Sequence, residues 1–214
     1  MKKRLLGYYD YTVILTYCGM LFAFCGILRA VSQNYWEAVF CLMSAGVCDM
    51  FDGAVASTKA DRTSDEKRFG IQIDSLSDLV SFGVLPGVFV YMITGKNAVV
   101  GLVCALFVLC ALIRLAYFNV LEEKRQEQTD ERRRSFLGVP VTASAVLLPV
   151  FYLLHYCRIC RTSVGFPVLL ILMGIGYLLP VKIKKPGFLA KAGILAVGFF
   201  EAAGLLFLMG ADPL

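Results

Sequence analysis

Seven apolar stretches recur along this chain, each close to the ~20 residues a helix needs to cross a bilayer. They fall at 11–31, 36–56, 71–93, 98–118, 139–156, 164–181 and 188–209. Inside hydrocarbon no water is available to the backbone, so a spanning segment must satisfy its own N–H and C=O groups, as an α-helix does. A chain of 214 residues that is 58% hydrophobic and 17% charged has little material left for anything else. The expected fold is all-α: a polytopic membrane bundle of about seven transmembrane helices (six to eight) in a single domain over 1–214. The first stretch follows basic residues but is long and lacks a small-residue cleavage site, so it is expected to remain as a span.

Basic residues set the orientation. With the N-terminus cytoplasmic, Lys2, Lys3, Arg4, Lys59, Arg62, Lys67, Arg68, Lys124, Arg125, Arg132 to Arg134, Lys182, Lys184, Lys185 and Lys191 all lie inside, which is sixteen of the 21 Lys and Arg residues. Arg29, Lys96, Arg158 and Arg161 fall outside, and Arg114 lies within a span. The excess inside favours this topology, a multi-pass protein of the cytoplasmic membrane. The net charge of +5 reads as a basic belt attracted to anionic headgroups, and nucleic acid is an unnecessary explanation. The mixed-sign run at 121–135 reads as a cytoplasmic connector. Most cysteines sit in the apolar stretches as small hydrophobes. Cys157 and Cys160 follow His155, but no second Cys/His pair completes a zinc set.

Four carboxylates stand where so apolar a chain should least tolerate them. Asp49 and Asp52 close the second stretch, and Asp74 and Asp78 open the third. Spacings of i,i+3 and i,i+4 put each pair on one helix face. Four converging carboxylates repel unless a cation sits between them, and a divalent metal is the economical partner because hard cations take oxygen ligands. Gly53 and Gly70 flank the pairs and leave room for backbone or ligand to approach. A carboxylate-bound Mg²⁺ or Mn²⁺ completes its shell with phosphate oxygens and water, so the pattern points to phosphoryl chemistry at the cytoplasmic membrane surface.

The run Asp49-x2-Asp52-Gly53-x2-Ala56, then Gly70-x3-Asp74-x3-Asp78, resembles the signature of the CDP-alcohol phosphatidyltransferases. The text after it, from Asp74 through Ser81 to Pro86, with Arg114 to Asn119 and Phe136 to Pro140, is similar to the phosphatidylserine synthase branch. That resemblance implies transfer of a phosphatidyl group from CDP-diacylglycerol to L-serine, giving phosphatidylserine and CMP, with membrane lipids as surroundings and a homodimer left open. It implies Asp49, Asp52, Asp74 and Asp78 as the metal set, Asp78 also as the base, and Gly53, Ala56, Gly70 and Thr12 near the nucleotide.

Two departures from the family pattern stand out. Ser57 occupies the place of an arginine, and the gap of twelve residues between Ser57 and Gly70 is longer than the family's. Serine cannot replace a guanidinium that grips phosphate through its planar fork, and Arg62 is the first candidate to do so. For the acceptor, Ser81, Arg114 and Asn119 are the candidates. Arg114 is costly in an apolar helix, and it could bind the serine carboxylate or the lipid phosphate, pair with an aspartate, or snorkel to the interface. Two rival readings are a related transferase with another acceptor (inositol phosphate or glycerol phosphate) and a transporter, in which polar residues would spread across several helices at the midplane.

Overall fold

The computed structural model describes residues 6–128, 135–159, 161–184 and 188–211. Helix α1 (Tyr11–Val31) starts at Asp10, whose side chain accepts from the backbone N–H of Thr12 at 3.1 Å. A tight turn at Gln33, with φ of 64°, returns the chain into α2 (Tyr35–Ala56). These two helices pack through small residues. Ala23, Ala30, Ala38 and Ala45 are buried, and a Cβ built on Gly26 would come within 2.9 Å of both the Cys41 Cβ and a Leu85 methyl. Between helices in lipid, close backbone approach supplies the contact energy that hydrophobic burial supplies in water.

The third span begins earlier than its hydropathy indicates. Thr63 and Glu66 form a capping box, each side chain accepting from the other's backbone N–H, so α3 (Ser64–Asp78) takes in charged residues before the apolar run starts. Only 57–63 therefore connects α2 to α3. The helix then widens into a π-helical turn, Leu79–Val84, and continues as α4 (Leu85–Ile93). Pro86 explains the widening. It has no N–H for the carbonyl four residues back, and its ring crowds that carbonyl. The Leu85 N–H reaches the Val80 carbonyl instead, which is the i to i+5 bond of a π turn. From Ser64 to Ile93 the whole is one 30-residue helix.

Helix α5 (Ala98–Gln128) runs on past the apolar stretch into the charged connector, where strong helix formers and an Arg125–Glu122 ion pair at 2.6 Å sustain it. The rest of that connector, with Cys160, lies outside the described residues. Strand β1 (Ser135–Leu137) pairs antiparallel with β2 (Lys182–Lys184), a short addition to an otherwise helical molecule. A 3₁₀ turn, Val141–Ala143, leads into α6 (Ser144–Tyr156), followed by α7 (Thr162–Leu178) and α8 (Phe188–Ala211). With α3 and α4 counted together, seven helices lie among the described residues. Four are long and apolar enough to cross a membrane, and the other three carry shorter apolar segments.

Phe82, Phe89, Phe107, Phe166, Leu148 and Leu170 fill the interior. Leu102, Leu172, Phe200 and Phe207 point outward, an inversion of soluble surfaces that hydrocarbon accepts. This is a membrane protein. Gly26→Leu should force α1 away from α2 and α4; overpacking of this kind costs about 1–3 kcal/mol. In detergent, thermal unfolding should begin several degrees lower, and an unchanged melting curve would mean that the interface is loose enough to absorb the side chain.

Candidate active site

The aspartates converge between the last turns of α2 and of α3, both packed on α1. Asp74, Ser77, Asp78 and Ser81 recur on one face of the third helix, Ser81 standing in its π turn. Carboxylate oxygens of Asp49, Asp74 and Asp78 lie within 4.8 Å of one another. Asp52 is buried beside them and accepts a hydrogen bond from the Thr16 hydroxyl of α1 at 3.0 Å. Its carboxyl also touches that of Asp74, as Asp49 touches Asp78. Ser77 donates to the Thr16 backbone carbonyl at 3.3 Å, so α1 braces both carboxylate-bearing helices.

These groups enclose a cavity of about 10 Å³, walled also by Gly19, Ala45, Cys48, Ser81 and Phe82. That volume suits one ion or water. Asp74 Oδ1 is buried and has no hydrogen-bond partner among the described residues. An orphaned carboxylate oxygen facing two further carboxylates fits a hard divalent cation, and apart from the Cys48 sulfur every polar side-chain atom in the wall is an oxygen. The cluster could therefore hold a divalent metal.

A second polar layer lies at the mouth. Lys59 donates to Asp10 at 2.8 Å and to Glu66 at 3.1 Å, fastening the start of α1 to that of α3. The Lys59 hydrogen bond, and then that of the Thr12 hydroxyl, hold the Asp10 carboxyl below its ordinary 3.8. The bond to Asp10, and then that to Glu66, push Lys59 up to about 12. The Asp10 contribution is present above 3.8 and is lost as pH falls through the lowered value; that of Lys59 is present below 10.5 and is lost as pH rises through about 12. The fastening is thus intact throughout the neutral range.

Arg62 lies over the motif glycine. A Cβ on Gly70 would stand 2.6 Å from Arg62 Nη2, which donates to the Glu66 carbonyl at 3.0 Å, while Arg62 Nε is buried with no partner among the described residues. A side chain at position 70 would displace the guanidinium from there. Gly53 is the opposite case, with nothing within 4 Å of where its Cβ would be, and its side of α2 is open. Ala56 ends α2, and the Ser57 hydroxyl is used locally, donating to the Ala54 carbonyl at 2.7 Å.

Not every expected residue comes to this place. Thr12 belongs to the cap at the mouth, its hydroxyl donating to Asp10. Arg114 is buried on α5; it donates to the Tyr177 carbonyl at 3.2 Å, sits 4.5 Å from the Phe118 ring centre, and packs beside Gly138, whose φ of 69° and crowded surroundings exclude a side chain. Asn119 accepts from Ser75 at 2.7 Å and donates to Gln72 at 3.4 Å, tying α5 to α3. Neither lines the aspartate cavity. Thr16, Ser77 and Asp10 were not singled out from the sequence, and Lys59, a candidate with Arg62 to replace the motif arginine, is instead bound to Asp10 and Glu66. The available signal was Thr16, one helical turn after Thr12 in an apolar stretch.

Residues 11–181 match the CDP-alcohol phosphatidyltransferase profile. The chain belongs to this family. Among its curated relatives is a CDP-diacylglycerol–serine O-phosphatidyltransferase of Helicobacter pylori, 33% identical over 186 residues, 83% of this chain and 70% of that protein. The protein of that name in Bacillus subtilis is 30% identical over 171 residues, 77% of this chain and 84% of its own. An archaetidylserine synthase of Methanothermobacter thermautotrophicus is 31% identical over 152 residues, 71% and 61% of the two chains. Within this family the oxygen cluster makes a direct expectation. Mn²⁺ titrated into the purified protein and followed by electron paramagnetic resonance should bind, and Asp74→Asn should abolish that binding. Thr16→Val, which removes a partner of Asp52, should weaken it about 10- to 100-fold. Unchanged Mn²⁺ affinity in Asp74→Asn would exclude the cluster as the metal site.

Proposed function

We propose that this protein transfers the phosphatidyl group of CDP-diacylglycerol to L-serine, releasing CMP, at the cytoplasmic face of the cell membrane. The observation that carries the reading is the convergence of the motif aspartates of α2 and α3 around a cavity of ionic size. Asp49, Asp52, Asp74 and Asp78 would hold Mg²⁺ or Mn²⁺. When bound, such an ion offsets the charge of the diphosphate and of the departing CMP. Asp78 takes the proton of the serine hydroxyl, a poor nucleophile without a base. Ser81, one turn further in the same wall, faces the acceptor. The open surface at Gly53 and Ala56 receives the cytidine, and the apolar exterior of the bundle accommodates the acyl chains.

Arg62 and Gly70 act together in this scheme. The glycine admits the guanidinium, whose unpartnered Nε turns to the diphosphate in place of the arginine absent at Ser57. Thr12 holds the mouth closed behind it through Asp10. Arg114 and Asn119 position α5 against its neighbours. Serine is favoured over inositol phosphate and glycerol phosphate as the acceptor because the curated relatives in Helicobacter pylori and Bacillus subtilis are named as serine O-phosphatidyltransferases. A transport pathway is disfavoured because the motif aspartates gather at one end of the helices and not across the midplane.

Purified protein given CDP-diacylglycerol should release CMP with serine far faster than with glycerol phosphate or inositol phosphate. EDTA should stop the release, and Mg²⁺ or Mn²⁺ should restore it. Asp78→Asn should remove turnover while sparing CDP-diacylglycerol binding; equal loss of both would deny Asp78 a role as base.

Removing a charge-assisted phosphate contact costs about 1.5–3 kcal/mol, roughly 10- to 150-fold in affinity. Arg62→Ala should raise the KM for CDP-diacylglycerol on that scale, and Ser57→Arg in the same background should recover part of the loss. A silent Arg62→Ala would leave the diphosphate without its proposed guanidinium.

A further inference from the structure

At the end of the bundle away from the aspartates, the third span stops at Ile93 and α6 turns back into α7. Ile93 lies roughly 22 Å along the helix axis from Asp78. Between these ends is an open cavity of about 560 Å³, bounded by Ile93, His155, Arg158, Arg161, Thr162 and Ser163. Its chemistry is one-sided. Neither connecting segment, 94–97 or 157–163, contains a carboxylate, whereas both supply cations. Arg29, another basic residue at this end, pairs with Glu37 at 2.8 Å.

The cavity has donors of several kinds. Arg158 ends α6 in a left-handed conformation, φ 59°, at a position where glycine is the ordinary choice. The turn is closed by the Arg158 N–H on His155 and the Ile159 N–H on Leu154, both at 2.9 Å. Arg161 precedes α7, and its carbonyl accepts from the Val164 and Gly165 N–H groups at 3.3 and 2.9 Å, so this 17-residue helix begins with the Thr162 and Ser163 N–H groups beside their own hydroxyls. The Thr162 hydroxyl lies 3.4 Å from His155 Nδ1, linking α7 to α6 across the floor. Two guanidinium groups, two hydroxyls and a helix N-terminus around one cavity suit a phosphate group.

The surroundings say which phosphate. Ile159 is 72% exposed and Val164 60%, apolar surface immediately beside the cations at the level where the spans end. A soluble anion has no use for that surface, whereas acyl chains do. We propose that this cavity binds the phosphodiester headgroup of an anionic phospholipid, with its chains lying along Ile159 and Val164. The site is separate from the aspartate cluster and does not depend on the reaction assigned to it.

The test uses the full chain in nanodiscs of phosphatidylcholine with and without phosphatidylglycerol. Native mass spectrometry counts retained lipid, and thermal unfolding reports stabilisation. Phosphatidylglycerol should remain bound and raise the melting temperature, and inorganic phosphate should neither displace it nor stabilise the protein. Arg158→Gln with Arg161→Gln should lower retention at least about tenfold. The melting temperature of this variant in phosphatidylcholine alone should match that of the parent, which establishes folding. Arg158→Lys with Arg161→Lys, which keeps charge but loses the planar fork, should retain part of the binding and serves if the glutamine variant does not fold. Equal retention by the parent and the substituted chains would overturn the proposal, as would inorganic phosphate protecting as well as the lipid.

Discussion

The mutual repulsion of four carboxylates within a low-dielectric bundle is the constraint around which the rest is arranged. Charges that water would screen act over several ångströms here, so the aspartates can share one place only if their positions are braced and a cation is at hand. The bracing is visible. Thr16 of α1 holds Asp52 through its hydroxyl and Ser77 through its carbonyl, and α1 lies close enough to do so because glycines and alanines line its contact with α2. Small-residue packing and the oxygen cluster are thus parts of one device.

Glycine has two different uses around this cluster. Gly53 leaves a surface open, and nothing occupies the space beside it. Gly70 leaves room for a side chain of the protein itself, the Arg62 guanidinium. Ser57 stands at the end of α2, and the Arg62 cation stands in the turn before α3, anchored on the Glu66 carbonyl. Lys59 steadies the same turn through Asp10 and Glu66, so a ligand gripped by Arg62 would meet a mouth already fastened on two sides.

Much of the fold was legible in the sequence because a bilayer imposes a simple length rule on apolar text. The seven helices fall near their expected places, four of them long and apolar enough to cross a membrane, and the departures occur where polar chemistry governs helix ends. Thr63 and Glu66 start α3 before its hydrophobic run, and the charged residues after Phe118 continue α5 through ion pairing. The π turn at Leu79–Val84 follows from Pro86, but only where the helix must continue through it, and that is decided by packing on both flanks.

What the sequence determined by itself was the membrane class of the protein, the pairing of aspartates on helix faces and the family their spacing identifies, since these depend on local periodicity and residue type. Tertiary structure decided which distant groups share a site. It brought Thr16 to Asp52 across 36 positions, set Arg62 over Gly70, and left Arg114 and Asn119 to join α5 to its neighbours outside the cavity. No local pattern carries such information, because contact between helices is fixed by how their surfaces interlock, and that is a property of the assembled bundle.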